Sequence, residues 1–509
     1  MLKTISKNIF SNYVGIAGAI VIAFMLSPFL VHSLGDTRYG VWSVVSALTG
    51  YMALLDLGVS SAMAKYVSKF KALKDYRSLN QVLASGLVIM LSAGTILLIF
   101  SPILASAVVS FFKFDGQLGE SVRLLVIVGS VDIAIFVSTG ILVGAFFGFQ
   151  RYEIINAVNL LVAIFKAILF YLVLTNGYDL VAMGLVSLAG NIMAACALFI
   201  AIKKVEPQVD IKLSNSSRKT LRSIFNFSKF TFLSMVAMQL VYYSDAFVIG
   251  YFLSAAAITY YTIPWSLGEY TNKLTLAIAQ TFVPVFSEQD ATTGDKAIYS
   301  TYVTGTKFML TVSNLLCIGM LAVGDYFVAL WMGPTYAEKC SVILAIMFFT
   351  QLIKGPQLLS YSILLGTARH KLFSYYNIGF SFLNLILSIV LIQQYGLVGV
   401  AVATAFTQIS FYGVITPILT SRVIGSNLIE YFRDTYLRIV PSSLLLYLTL
   451  LYLANSSAPE SYFTLLTQAF WATTIYLVSI YWVLLNSTER EFISARVADL
   501  IGRLNKSRA

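Results

Sequence analysis

Long apolar runs separated by short polar breaks repeat along all 509 residues. A helix needs about 20 mainly apolar residues to cross the hydrocarbon core of a bilayer. Comparing the runs with the breaks predicts about fourteen transmembrane helices. Their centres lie near residues 22, 51, 91, 134, 164, 191, 240, 270, 312, 353, 384, 408, 446 and 475. An even number of spans returns both termini to the same side of the membrane.

The composition agrees with this pattern. Hydrophobic residues make up 58% of the chain, charged residues 11%, and the mean hydropathy is +0.82. These values lie outside the range of soluble domains. We therefore predict an all-α polytopic membrane protein without a soluble domain of useful size. The first segment, MLKTISKNIF, leads into an apolar run without a small-residue cleavage site, so we expect a retained helix rather than a signal peptide.

The basic residues predict the orientation. Most of the 34 Lys and Arg residues fall in alternate loops, whereas the loops of the opposite side hold Arg38, Lys113 and Lys339. Positively charged loops stay on the cytoplasmic side, so both termini are expected there. The net charge of +11 follows mainly from this bias, and anionic membrane lipids are the expected partners of these loops. Nucleic-acid binding is not predicted, because the basic residues are spread over separate short loops.

Motifs for catalysis and nucleotide hydrolysis are missing. The sequence contains no GxxxxGK[ST] phosphate-binding loop, and its two histidines, His32 and His370, are too far apart for an HExxH zinc site. The predicted outer loops are too short to form a folded catalytic domain. We therefore predict a transporter rather than an enzyme, with no catalytic residue, metal site or cofactor.

The sequence also contains an internal repeat. At an offset of 218, Gly148 aligns with Gly366 and Arg151 with Arg369. Two apolar hairpins can resemble each other by chance, but the order and constant spacing of the matches favour a repeat. Six spans separate the copies, so the two halves have the same topology and are related by a pseudo-two-fold axis along the membrane normal.

This repeat predicts the domain organisation. Two six-helix bundles are joined by a basic linker and followed by two additional helices and a basic cytoplasmic tail. The predicted bounds are 1–204 and 228–424 for the bundles, 205–227 for the linker, 425–486 for the additional helices and 487–509 for the tail.

Several short segments carry a family resemblance. They are LGDTRYGVW at 34–42, DLGVSSAMAKYVSKF at 56–70, DAFVIGYFLSAAAITYYTIP at 245–264, ALWMGPTYA at 329–337 and QYGLVGVAVATA at 394–405. In this order and spacing they resemble the Wzx-type O-antigen and exopolysaccharide flippases of the multidrug/oligosaccharidyl-lipid/polysaccharide (MOP) exporter superfamily.

The resemblance implies a fold and a function. The fold is that of the MATE and MOP transporters, and the substrate is an undecaprenyl-pyrophosphate-linked oligosaccharide that is moved across a bacterial inner membrane by alternating access. O-antigen, capsule or exopolysaccharide synthesis would use the product. The resemblance further implies a monomer, with a polysaccharide polymerase and a chain-length regulator as further partners.

Nine charged residues lie inside the predicted spans, although a charge at the bilayer centre costs at least about 2.5 to 3.5 kcal/mol. At a rise of about 1.5 Å per residue, five of them fall near the middle of the membrane: Asp132, Lys166, Asp245, Glu269 and Lys354. Lys273 lies about one turn deeper. Lys307 lies near the cytoplasmic edge, where a lysine is expected to snorkel towards water.

Each central charge has a structural and a functional interpretation. Lys166 and Lys354 have no acidic neighbour at helical spacing, so each either joins an ion pair with another helix or binds the pyrophosphate. Lys273 follows Glu269 by four residues, in the favourable orientation for a pair on one helix. That pair is either purely structural or Lys273 is a third phosphate contact.

The acids suit a different role, because an acid does not help an anion bind. Asp245, Asp132 and Glu269 either couple transport to a proton or Na⁺, or hold a lysine in place. Tyr242 and Tyr243, beside Asp245, belong either to an interfacial aromatic belt or to a surface that stacks on sugar rings.

Two rival functions stay open. The first is a MATE-like exporter of cationic drugs with the same fold, for which a path rich in Asp and Glu is expected. The second is a non-transporting scaffold of a polysaccharide assembly complex, which has little use for charges in mid-membrane.

Overall fold

The computed structural model describes residues 2–487, 489–491 and 494, and this part of the chain is helical over most of its length without any β-strand. Its sixteen α-helices are α1 Leu2–Met52, α2 Val59–Ala72, α3 Tyr76–Phe111, α4 Gly116–Gly148, α5 Tyr152–Thr175, α6 Leu180–Val205, α7 Arg218–Phe252, α8 Ala255–Gln280, α9 Val283–Thr292, α10 Asp295–Met332, α11 Pro334–Gly366, α12 Lys371–Gln408, α13 Thr416–Ile424, α14 Leu428–Phe432, α15 Arg438–Ser456 and α16 Tyr462–Val483.

The fourteen predicted spans correspond to this order of helices. Ten helical stretches of the described residues are long and apolar enough to cross a membrane. Two of the ten each contain a break, at Gly35 (φ 73°) and at Gly396 (φ 55°), where the backbone adopts a conformation that glycine tolerates because it has no Cβ. The more polar helices α7 and α8 occupy the two remaining positions. The chain is a multi-pass membrane protein.

The internal repeat is visible in the backbone at the ends of α4 and α11. Gln150 (φ 58°) and Ala368 (φ 56°) both adopt the left-handed conformation, which is uncommon for residues other than glycine. They are exactly 218 residues apart, the offset of the sequence repeat. In both turns the following arginine, Arg151 or Arg369, donates its backbone N–H to a carbonyl of the preceding helix.

The glycines of the repeat have equivalent packing. A Cβ on Gly148 would lie 2.8 Å from the carbonyl oxygen of Ala64 in α2, and a Cβ on Gly366 would lie 2.8 Å from that of Val283 in α9. Each glycine therefore lets its helix approach another backbone more closely than any side chain would permit. The last turn of α4 meets α2 in the same way as the last turn of α11 meets α9.

Contacts between residues divide the chain into two compact units. Unit 1 comprises Met1–Thr262 and Ser381–Val400, and unit 2 comprises Ile263–Phe380 and Ala401–Ala509. The bundle, linker, helix-pair and tail bounds expected from the sequence stay a prediction.

Polar contacts at the two ends of unit 1 are consistent with the predicted topology. At the basic end, Lys71 of α2 pairs with Glu206 after α6, with 2.5 Å between Nζ and Oε1. At the opposite end, Arg38 of α1 pairs with Asp179 before α6 at 3.5 Å. Loops predicted on the same side of the membrane thus lie together within this unit. Which end faces the cytoplasm stays a prediction.

Lys307 of α10 does not snorkel towards water, and that expectation was wrong. Its side chain is 5% exposed, and its Nζ donates to both carboxylate oxygens of Glu489 at 2.9 and 3.0 Å. Glu489 also accepts a hydrogen bond from the backbone N–H of Asn486, which in turn accepts one from the N–H of Glu489. This reciprocal pair is a capping box, and it orients the carboxylate towards the lysine.

Removing one partner should therefore destabilise unit 2. A lone charge left in a buried position costs about 3 to 5 kcal/mol, so we expect Glu489→Ala to lower the free energy of unfolding by about 3 kcal/mol. The double variant Lys307→Met with Glu489→Leu should lose much less, because neither charge remains buried. Thermal unfolding of the detergent-purified protein measures both effects. Asp290→Ala, which removes an exposed partner of Arg369, is the control. Equal destabilisation by Glu489→Ala and Asp290→Ala would contradict the prediction.

Candidate functional site

Unit 1 contains a cavity of about 380 Å³ among α1, α4, α5, α6 and α7. Two of the charged residues predicted from the sequence line it, Asp132 on α4 and Lys166 on α5, together with Asn191 on α6. Trp42 of the LGDTRYGVW segment and Tyr243 contribute aromatic rings to the wall. The cavity therefore combines one cation, one anion, an amide and aromatic surfaces within a membrane-spanning unit.

Asn191 connects the two charges of this cavity. The Nζ of Lys166 donates a hydrogen bond to Oδ1 of Asn191 at 3.3 Å, and Nδ2 of Asn191 donates to Oδ1 of Asp132 at 2.7 Å. An amide has both a donor and an acceptor, so one side chain forms a hydrogen bond with each of the two ions. Lysine has three N–H donors, and Lys166 uses one of them for Asn191 within the described residues, which leaves others for a ligand.

Glycines on α6 and α1 give the cavity its shape. A Cβ on Gly190 would collide with the methylene stem of Lys166, so the absence of a side chain there makes room for the lysine. A Cβ on Gly50 would likewise collide with the ring of Tyr243. These close approaches explain why α5 and α7 can direct long side chains against neighbouring helices.

The aromatic rings of the wall are held by other rings. Trp42 packs edge to face on Phe170 with 5.9 Å between ring centres, and Tyr243 lies 5.8 Å from Tyr51. Such pairs add to the burial of apolar surface and fix the ring orientation. Tyr243 thus belongs to the cavity wall. The side chain of Tyr242 is not among those that the structure describes.

In unit 2, Lys354 of α11 is buried, with 7% of its surface exposed. Its Nζ lies 5.5 Å from the ring centre of Tyr412, a cation–π distance, and Glu269 of α8 interacts with it electrostatically. Within the described residues Lys354 makes neither a hydrogen bond nor an ion pair. A buried ammonium group with unsatisfied N–H donors is costly, so this position suits a ligand that brings an acceptor.

The residues after Lys354 show how α11 positions it. Pro356 has no N–H and cannot complete the helical hydrogen bond to the carbonyl of Leu352. A Cβ on Gly355 would lie 2.5 Å from Oγ of Ser313, so α11 passes close to α10 at this point. The lysine thus projects from a locally weakened turn that is packed tightly against its neighbour.

The pair expected between Glu269 and Lys273 is not formed. Lys273 is exposed and makes no ion pair within the described residues, whereas Glu269 interacts electrostatically with Lys354. Glu269 also lines a crevice of about 20 Å³ with Gln351 and Gln408, large enough for a single water molecule. Within the part of the chain that the structure describes, the Oε1 atoms of both glutamines are buried without a hydrogen-bond partner.

Asp245 of α7 is 5% exposed and occupies a different environment from the cavity. Its Oδ2 accepts a hydrogen bond from Tyr261 of α8 at 2.5 Å, and its Oδ1 accepts one from Ser388 of α12 at 3.4 Å. Residues two apart on a helix point in nearly opposite directions, which is why Tyr243 lines the cavity and Asp245 does not. Unit 1 thus brings Asp132 and Lys166 together and leaves Asp245 apart.

The uncharged polar residues of these sites were not predicted from the sequence. Asn191 stands within the apolar run SLAGNIMAAC, and Gln351 precedes Lys354 by three residues. An amide within an apolar span is the signal that would have found them, because it needs a partner in the membrane. No group of three or more His, Cys, Asp or Glu residues suited to a metal ion occurs in the described part of the chain.

Comparison with known proteins agrees with the sequence resemblance. Residues 5–290 match the family described as polysaccharide biosynthesis protein, a region that includes the whole cavity of unit 1. The chain belongs to the polysaccharide biosynthesis protein family. The expectation drawn from the short segments of the sequence is thereby confirmed at the level of the family.

Individual relatives of this polysaccharide biosynthesis family member have low sequence identity to the chain but match most of its length. The chain is 25% identical to the "Probable low-salt glycan biosynthesis flippase Agl15" of Haloferax volcanii over 391 residues, 76% of this chain and 77% of that protein. It is 20% identical to a protein of Shigella flexneri named for O-antigen transport, over 79% of this chain and 94% of that protein.

Among solved structures, the lipid II flippase MurJ in an inward closed conformation has a TM-score of 0.73 and 15% sequence identity. The match covers 94% of this chain and 98% of that structure. The fold is that of the MOP superfamily, as predicted.

The role of Lys166 in this family member can be tested without changing any charge. Gly190→Ala adds one methyl group where the lysine stem lies, so the lysine must move. We expect a nearly unchanged melting temperature, because the colliding group is a flexible side chain. The amount of polysaccharide on the cell surface should fall when the variant replaces the wild type at equal protein level. Gly319→Ala, whose Cβ would meet nothing within 4 Å, is the matched control; polysaccharide at the wild-type level in Gly190→Ala would show that the position of Lys166 is unimportant.

Proposed function

We propose that the protein is a flippase that moves an undecaprenyl-pyrophosphate-linked oligosaccharide across a bacterial inner membrane by alternating access. The product would serve the synthesis of O-antigen, capsule or exopolysaccharide. The cavity of unit 1 carries this proposal, since it places a lysine with available N–H donors inside a membrane-spanning unit of a polysaccharide biosynthesis protein. The names of the relatives support the same function.

The charge of the substrate explains the lysines. A pyrophosphate is as costly in hydrocarbon as any other unpaired ion, so a protein that moves it must supply cations along the path. Lys166 has a neutral amide as its hydrogen-bonding partner, and Lys354 has no hydrogen bond within the described residues. Both are therefore prepared to bind phosphate oxygens. Lys273, which is exposed on α8, is a third candidate contact.

The uncharged part of the cavity suits the oligosaccharide. Trp42 and Tyr243 offer flat faces on which sugar rings can stack, and Ser46, Thr49 and Ser187 add hydroxyl groups to the wall. Hydroxyl groups can both donate and accept hydrogen bonds, as sugar hydroxyls do. The same small volume thus offers contacts to the two chemical parts of the proposed substrate.

The acids are assigned to coupling and to charge balance. Asp132 shares Asn191 with Lys166, which suits an acid that holds the lysine in place between substrates. Asp245 is buried against two hydroxyl donors, which suits an acid that binds a proton or Na⁺. Glu269, which interacts electrostatically with Lys354, is the corresponding acid of unit 2. In this proposal the protein has no catalytic residue and works as a monomer that delivers its product to a polymerase and a chain-length regulator.

The two rival functions make different demands on these residues. A MATE-like exporter of cationic drugs needs excess negative charge, but the cavity of unit 1 contains one lysine and one aspartate, and unit 2 buries a lysine. A scaffold gains nothing from placing Lys354 in the membrane without a hydrogen bond. The observations on both units therefore favour an anionic substrate.

Substitution of the lysines tests the proposal. Losing a hydrogen bond to a charged group costs about 1.5 to 3 kcal/mol, so Lys166→Ala and Lys354→Ala should each reduce transport about tenfold or more. Arginine keeps the charge, and Lys166→Arg should retain more activity than Lys166→Ala. Lys371→Ala, which removes an exposed lysine of unit 2, is the control. Normal surface polysaccharide in both alanine variants, at normal protein level, would remove the two lysines from the phosphate path.

Asp245→Asn separates coupling from packing. Asparagine keeps the size of the side chain and can still accept a hydrogen bond from Tyr261, but it can neither carry a proton nor neutralise Na⁺. We expect the variant to be folded and to lose the dependence of transport on pH or Na⁺. Wild-type activity with an unchanged response to both ions would assign Asp245 to packing alone.

A further inference from the structure

Unit 1 has a second concave surface, an apolar groove of about 570 Å³ formed by α3, α4 and α6. Leu91 and Leu98 of α3 and Phe199 of α6 are exposed on its walls. None of its lining residues lines the polar cavity, because α4 turns Asp132 to the cavity and Ala134 and Ile135 to the groove. The proposed substrate path therefore does not account for this groove.

Small residues create the depth of the groove. Gly94 of α3 lies so close to α4 that an added Cβ would be 3.1 Å from Cβ of Ala134. Ala195 of α6 lines the groove from the other wall. Because these residues lack long side chains, three helices pack together and still leave space between their larger neighbours. Apolar space of this kind on a membrane-spanning unit is filled by hydrocarbon.

The segment after α6 closes one end of the groove. Asn80 of α3 donates a hydrogen bond to the carbonyl of Gln208 at 3.2 Å and accepts one from the N–H of Asp210 at 3.0 Å. These bonds fasten the segment across the start of α3, and Ile211, the next residue, lines the groove. This fastened segment thus closes the groove at the basic end of unit 1.

Two basic side chains lie at this closed end of the groove. Lys203 lies one turn beyond Phe199, with its Nζ 5.9 Å from the centre of that ring, and donates a hydrogen bond to the carbonyl of Val209 at 2.8 Å. Lys212 follows Ile211 and pairs with Asp210 at 2.8 Å, a hydrogen bond that raises the pKa of the lysine. Residues 203–222 contain six basic and two acidic side chains. The end of the apolar groove therefore attracts anions.

We propose that this groove binds one acyl chain of an anionic phospholipid, with the phosphate of the lipid at Lys203. The apolar walls take the chain, and the basic segment selects the headgroup. Each Lys or Arg near a membrane surface contributes about 1 kcal/mol of attraction to an anionic lipid. The site is a lipid-binding site apart from the transport cavity, and its occupancy is measurable without transport.

Cys196 provides the means to test this site. It is exposed on the groove wall, whereas Cys317 and Cys340 are buried, so a maleimide should modify Cys196 first. In detergent, phosphatidylglycerol should slow that modification, and phosphatidylcholine should do so only at higher concentration. Lys203→Gln should raise the phosphatidylglycerol concentration for half-protection about fivefold. The charge control Lys371→Gln, on an exposed lysine of unit 2, should leave it unchanged.

A variant that fills the groove makes the second test. Ala195→Phe should reduce the number of phosphatidylglycerol molecules retained in native mass spectrometry by one. Ile200→Phe, at an exposed position of the same helix outside the groove, should retain the wild-type number. Equal protection of Cys196 by the two phospholipids, or no effect of Lys203→Gln, would overturn the proposal. Protection by undecaprenyl phosphate but not by phosphatidylglycerol would overturn the assignment to a phospholipid.

Discussion

The cost of placing a charge in hydrocarbon is the constraint on which the rest of this structure depends. At least about 2.5 to 3.5 kcal/mol is lost for each unpaired charge at the bilayer centre, and the chain meets this cost in different ways. Lys307 is neutralised by a carboxylate from the C-terminal segment, and Lys166 is held through an amide that also binds Asp132. Among the described residues, Lys354 alone of these three lysines lacks a hydrogen bond, and it interacts with the ring of Tyr412 and electrostatically with Glu269. The lysines that still have N–H donors without an acceptor are the ones that a transported anion can bind.

Local sequence patterns were sufficient to predict the membrane spans and the internal repeat. A membrane span is encoded in about 20 consecutive residues, so its presence does not depend on distant contacts. The equivalent left-handed turns at Gln150 and Ala368 show that the repeat at an offset of 218 extends to the backbone. The same local reasoning placed Asp132 and Lys166 at one depth, and the structure brings them into one cavity.

Contacts between distant parts of the chain explain what the sequence could not predict. Asn191 is uncharged, and its role depends on two other helices; Glu489 is 182 residues from Lys307. The spacing of Glu269 and Lys273 suggested a pair, but helical spacing only makes such a pair possible. Lys354, on a different helix, interacts with Glu269 instead. Ion pairs in a membrane protein follow the packing of helices, which a single sequence does not reveal.

We propose that the chain itself moves a pyrophosphate-linked oligosaccharide between leaflets. The most direct measurement uses the purified protein in liposomes that contain undecaprenyl-pyrophosphate-linked oligosaccharide, with a membrane-impermeant glycosidase or lectin to count the molecules in the outer leaflet. We expect that lipid initially protected inside becomes accessible with wild-type protein, and far more slowly with the Lys166→Ala, Lys354→Ala double variant at equal incorporation. No change in accessibility with folded, incorporated wild-type protein under any proton or Na⁺ gradient would contradict the proposed transport, as would equal rates for the wild type and the double variant.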